Sequence, residues 1–181
     1  MKTFVMYSLM LGFVACQSGT NEQSSTAPAP IEHAGQSAVV DDESQKNIVQ
    51  TAMASPDHQT LATALKTAGY VDALSNAGPF TVFAPHDEAF SQLPEGTVDN
   101  LLKPANKSKL QDILEYHVYV GVIRESIMQD GMKLDQVNGK KVSLSRQGEK
   151  FQVNGANIIA TIPTSNGIVY VIDKVLLPEA D

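Results

Sequence analysis

Three Asn-Gly dipeptides, at Asn138-Gly139, Asn154-Gly155 and Asn166-Gly167, punctuate the last third of this 181-residue chain, each beside a run of β-type residues. Asn-Gly tolerates positive φ at both central positions of a two-residue turn, so the pairs predict tight hairpins. The flanking runs have the matching period. Val142 and Leu144 alternate with Lys141, Ser143 and Ser145; Phe151 and Val153 repeat the alternation, and so do Ile158, Ala160 and Ile162. That is the pattern of strands with one buried face, and it predicts an antiparallel meander. The last run, Ile168 to Ile172, is apolar throughout, so both of its faces need cover and it belongs at the centre of a sheet.

Upstream the period is helical. Ile48, Val49, Ala52 and Met53 share one face, Ser55-Pro56-Asp57 breaks the chain, and Leu61, Ala62, Leu65 and Ala68 form a second stretch ending at Gly69. Tyr70, Val71 and Leu74 predict a third, short helix stopped by Gly78-Pro79. Phe80 to Pro85 reads as a strand, Asp87 to Leu93 as a helix with Asp87 as its N-cap. Thr97 to Leu102 and Leu110 to Leu114 are helical again before Tyr116 to Val120 turns extended. Helices segregated from an antiparallel sheet make an α+β domain.

Composition fits one such domain: hydrophobic residues make up 43% and charged residues 18%, enough to bury a core without staples. A net charge of −7 argues against nucleic acid, whose phosphates need a basic footprint. The sole cysteine, Cys16, excludes an intrachain disulfide and zinc sites built on paired cysteines. It ends an apolar run that follows Lys2 and is too short to span a bilayer, the pattern of a signal peptide over residues 1–15. Phe13-Val14-Ala15-Cys16 resembles a bacterial lipobox, which implies acylation of Cys16 and a membrane tether through lipid alone. Residues 16–45 then read as a disordered linker with five acidic residues and no Lys or Arg, and residues 46–181 as the folded domain. The expected location is the cell envelope, and Gln17 favours the outer membrane of a Gram-negative bacterium.

Three segments together resemble the fasciclin (FAS1) domain family: GPFTVFAPHDEAFSQLP from Gly78 to Pro94, LEYHVYVG from Leu114 to Gly121, and NGIVYVIDKVLLP from Asn166 to Pro178. The resemblance implies a wedge of β-strands with helices packed against it, used in adhesion and extracellular binding and generally not catalytic. The first segment departs from the usual pattern at His86-Asp87. Asp112-Ile113 resembles a segment associated with integrin contact in animal members.

No catalytic, metal or cofactor site emerges from the residues. The chain holds four histidines, but His33 lies in the linker and His58, His86 and His117 lack metal-ligand spacing. No GxSxG elbow or phosphate loop is present. His117, among apolar neighbours, needs a partner for each ring nitrogen, and the resemblance places Thr81 and Asp173 near it as a structural polar motif. Asp112, Ile113, Tyr116 and His117 are the candidate interaction residues, and Lys103, Lys107 and Lys109 form a basic cluster suited to an anionic polysaccharide. The expected function is therefore non-enzymatic binding of an envelope or extracellular protein or polysaccharide, with a small-ligand or stress-related periplasmic role as the alternative.

Overall fold

The computed structural model describes residues 45–178; the signal segment, Cys16 and the linker up to residue 44 lie outside the described residues. Helix α1 (Ile48–Ala54) starts at Asn47, whose side chain accepts from the Gln50 N–H while the Gln50 side chain accepts from the Asn47 N–H. This reciprocal cap satisfies two of the donors that a helix start leaves unpaired. Ser55-Pro56 interrupts the chain, and α2 (Gln59–Ala68) runs on to Gly69, which adopts the left-handed conformation that closes a helix. Short helices α3 (Val71–Ser75), α4 (Asp87–Ser91) and α5 (Thr97–Leu101) follow, and α6 (Lys107–Tyr116) is the second long one. Strand β1 (Phe80–Pro85) separates α3 from α4.

After α6 come β2 (Val118–Val120), β3 (Lys133–Asp135), β4 (Lys141–Gln147), β5 (Lys150–Val153), β6 (Ala156–Thr164) and β7 (Gly167–Ile172). They form one sheet in the order β2-β1-β7-β6-β5-β4-β3. Strands β3 to β7 are the antiparallel meander that the alternation predicts. Strand β7 lies between β1 and β6, with Val169 packed into a core under α1, α2 and α6 and with Ile168, Tyr170 and Ile172 packed into a second core on the other face. Its unbroken apolar run is explained by this burial on both sides.

The sheet is mixed rather than wholly antiparallel, because β1 pairs with β7 in parallel from Phe80↔Gly167 to Pro85↔Ile172. No hairpin joins these two strands. The whole of residues 86–166 runs between them, a crossover long enough for the parallel sense. The sheet also curls, so that the Val137 N–H, in the turn between β3 and β4, donates to the Val118 carbonyl of β2 at 2.9 Å. The two ends of a single sheet thereby meet, giving a wedge with the second core inside it.

Two local expectations are corrected. Tyr116 is the last residue of α6 and His117 is still helical, so extended backbone begins only at Val118. Of the three Asn-Gly pairs, only Asn154-Gly155 has positive φ at both positions, 47° and 76°. At Asn138-Gly139 the glycine alone does, at 80°, and at Asn166-Gly167 neither residue does. Gly167 answers a different demand: a Cβ there would lie 2.0 Å from the Phe80 carbonyl oxygen, so the parallel pairing needs a residue without one.

Candidate binding surface beside helix α6

Tyr116 and His117 are consecutive yet serve opposite cores. The Tyr116 hydroxyl donates to the Lys141 carbonyl at 3.0 Å and accepts from the Asn154 amide at 2.9 Å, tying the end of α6 to β4 and to the β5–β6 turn. His117 is 3% exposed; its Nδ1 lies 2.7 Å from the Ile113 carbonyl and its Nε2 accepts from the Leu176 N–H at 2.9 Å. That pair of partners fixes the neutral tautomer with hydrogen on Nδ1. Burial pushes the His117 pKa down to about 4, against the pull of the Ile113 carbonyl, so the ring is uncharged at neutral pH.

The grouping of Thr81, His117 and Asp173 is thereby corrected, because each finds other partners. The Thr81 hydroxyl donates to the Gly121 carbonyl at 2.7 Å and accepts from the Ile123 N–H at 2.9 Å, bracing the chain after β2. The Asp173 carboxylate accepts from the Asn157 N–H at 2.7 Å and from its side-chain amide, closing β6 onto β7. The nearest carbonyl one turn back along α6 meets His117 before any residue of another strand can.

Asp87 also acts differently from its expected N-cap role. His86 caps α4, its Nδ1 accepting from the Ala89 N–H at 3.0 Å. Asp87 instead reaches the start of α2, accepting from the Thr60 N–H at 2.8 Å and the Gln59 N–H at 3.2 Å. The departure at His86-Asp87 thus supplies two caps on two helices. His58 is buried with its Nδ1 2.8 Å from the Ser55 hydroxyl, but its Nε2 has no hydrogen-bond partner among the described residues. Among the described residues no third group hydrogen-bonds to that ring as the orienting member of a nucleophilic triad does. Among the described residues no group of three or more His, Cys, Asp or Glu is placed to hold a metal ion.

Of the candidate interaction residues, Ile113, Tyr116 and His117 are enclosed at 7%, 4% and 3% exposure, and Asp112 is the one that reaches the surface. It borders an open groove of about 720 Å³. Lys103, Lys109 and Lys140 line this groove, with Leu101, Ile113 and Leu177 as its apolar lining. Lys107, grouped with Lys103 and Lys109 in sequence, is elsewhere: its ammonium stands 3.6 Å from where a Cβ on Gly69 would be, at the C-terminal end of α2, where a cation complements the helix dipole. Lys140 replaces it in the groove. It comes from the β3–β4 turn, distant in sequence, so no local pattern pointed to it.

The fasciclin domain family profile matches residues 56–178, which take in β1, the Tyr116-His117 segment and β7. The chain belongs to the fasciclin domain family. It is 40% identical over 173 residues to Protein sll1483 of a Synechocystis strain, covering 93% of this chain and 96% of that one. It is 36% identical over 143 residues to Immunogenic protein MPB70 of Mycobacterium bovis, covering 76% of this chain and 72% of that one. Among solved structures it is similar in fold to a FAS1 domain pair from the insect cell adhesion molecule Fasciclin I, with a TM-score of 0.56 at 19% identity, covering 74% of this chain and 51% of that one. Fasciclin domain proteins are generally adhesion or extracellular proteins.

Proposed function

We propose that this fasciclin domain is displayed by a non-enzymatic, exported lipoprotein of the cell envelope and works by binding a protein or polysaccharide outside the cytoplasm. Residues 1–15 would direct export, acylated Cys16 would anchor the chain in the outer membrane, and residues 16–45 would hold the domain clear of the lipid. The observation that carries the binding reading is the open groove of about 720 Å³ beside Asp112, on a domain whose buried His117, Tyr116 and Tyr170 are engaged in holding the fold. The small-ligand alternative would have to use an open groove, this one or the one of about 760 Å³ beside Arg124. The apolar pocket enclosed between α2, α4, α5 and α6 offers about 30 Å³, room for about one water and far short of a ligand pocket.

Two measurements test the reading. Fractionation of cells expressing Cys16→Ala should move the protein from the membrane to the soluble fraction, and a variant still membrane-bound after a carbonate wash removes the anchor. An array of neutral and charged glycans alongside envelope proteins should yield a partner for the intact chain. Native mass spectrometry showing a retained small molecule, with an empty array, would transfer the function to the alternative.

A further inference from the structure

The groove beside Asp112 is rich in lysine on an acidic molecule. The chain carries a net charge of −7, yet among the described residues three lysines, Lys103, Lys109 and Lys140, line this groove against two carboxylates, Glu95 and Asp112. They come from the loop after α5, the first turns of α6 and the β3–β4 turn, so the fold itself assembles the patch. Lys103 and Lys109 are exposed and make no ion pair within the described residues. The Asp112 carboxylate stays at the groove's edge, its Oδ1 accepting from the Asn138 amide at 3.0 Å.

We infer that this groove takes an acidic polysaccharide carrying carboxylates along its length; the inference rests on the reading of the domain as an extracellular binding module. Charge complementarity selects a polyanion. The form of the walls selects among polyanions: they are helix ends and a turn, with no strand belonging to the groove, so an extended peptide has no ladder to join there. Lysines are strongly hydrated point charges on flexible stems, which suits repeated carboxylates of a wet polymer better than a bidentate partner does. Thr97 and Asn100 offer polar groups to sugar hydroxyls, and Leu177, 49% exposed, offers an apolar surface to the C–H face of a ring. At physiological salt the Debye length is about 8 Å, so the acidic remainder of the surface is screened from the polymer while contacts inside the groove persist.

The test uses the full chain with immobilised polygalacturonate as probe, dextran as neutral polymer, polyglutamate as acidic peptide and vesicles containing anionic lipid. The expected result at about 0.15 M salt is binding to polygalacturonate alone, weakening as salt is raised. Lys103→Gln with Lys109→Gln should lower the affinity about tenfold, while Lys66→Gln with Lys150→Gln, outside the groove, should stay within about twofold. If the groove double variant melts early, Lys103→Gln alone should still show a loss of about threefold. Silence towards polygalacturonate, or an unchanged groove variant, overturns the inference. Equal or tighter binding to polyglutamate or to vesicles assigns the groove to a peptide or a lipid surface and overturns it too. Binding of a different glycan on the array, with polygalacturonate ignored, would leave the proposed function standing and remove this ligand.

Discussion

The backbone N–H of Leu176 donates to Nε2 of His117 at 2.9 Å, and this bond fastens the segment after β7 to the end of α6. Both ring nitrogens of His117 are therefore committed inside the domain, one to each of two chain segments far apart in sequence.

His117→Ala leaves the Ile113 carbonyl and the Leu176 N–H unpaired in the interior. At about 1–3 kcal/mol per orphaned group, the expected loss is about 2–5 kcal/mol, read as a lower midpoint in chemical denaturation. An unchanged midpoint would show that the ring does not hold the fold. The effect depends on pH. Burial lowers the folded-state pKa to about 4 from 6.5, so below pH 6.5 the unfolded chain takes up a proton that the folded chain refuses. Wild-type stability should fall from pH 6.5 down to about 4, and its advantage over His117→Ala should narrow across that window. Burial also lowers the His58 pKa, which acts with the same sign in both proteins and drops out of the comparison.

Asn166→Ala should be as damaging as a large core truncation. Its Oδ1 accepts from the Ile48 N–H at 3.0 Å, and its Nδ2 donates to the Leu74 carbonyl at 2.8 Å and the Asn76 carbonyl at 3.0 Å. One side chain thus pins α1 and the end of α3 to the β6–β7 turn. Losing it should cost about 2–4 kcal/mol in urea denaturation. Asn166→Asp should be at least as severe, because a carboxylate would face two carbonyl oxygens; a mild Asp variant would argue against the latch.

Gly167→Ala and Gly139→Ala reverse the usual ranking of glycine substitutions. Gly139 has a φ of 80° with nothing within 4 Å of a new Cβ, and the strain there should cost about 1 kcal/mol. Gly167 has an ordinary φ, but its Cβ would meet the Phe80 carbonyl oxygen at 2.0 Å. The β1–β7 pairing must open to admit it. Expression and thermal melting should show Gly167→Ala as the worse of the two by several kcal/mol, on the scale of a severe core change; parity would mean that the strands can part freely.

Asp87→Ala uncaps α2 from a neighbouring loop and should cost about 1 kcal/mol. Partial burial pushes the Asp87 pKa up, but the hydrogen bonds from Thr60 and Gln59, helped by His58, together outweigh it and leave the carboxyl below its ordinary value of 3.8. The contribution is present in full above that value and is lost as pH falls through the lowered one. Melting curves of wild type and variant should differ at pH 7 and converge in strong acid; a difference that persists in acid would assign the loss to packing.

The elements with a strong period are legible in the sequence alone. β7 at the sheet centre follows from its unbroken apolar run, the meander from side-chain alternation and the helices over Ile48 to Leu74 from the helical period, patterns that burial enforces directly. What escaped was set by distant neighbours. The parallel sense of β1 against β7 has no local signature, and β3, at three residues, is too short to show alternation. Asn166-Gly167 reads as the centre of a turn, whereas the turn is Ser165-Asn166, with Asn166 doubling as a latch and Gly167 opening β7 at a close approach. His117 could be recognised as needing two partners, but a carbonyl one helical turn back and a main-chain N–H are invisible to a search for polar side chains. In the groove, Lys103 and Lys109 were visible as a run, while Lys140 joins them only through the fold.

The peptide bond between Tyr116 and His117 is where the two cores are riveted together, Tyr116 facing the inside of the wedge and His117 the helical layer. A domain jointed in this way has no plane along which to come apart in stages. Amide hydrogens deep in β4 and deep in α2 should therefore exchange with solvent only when the whole molecule opens, so that the helical layer and the wedge share one fate under heat, force or proteolysis.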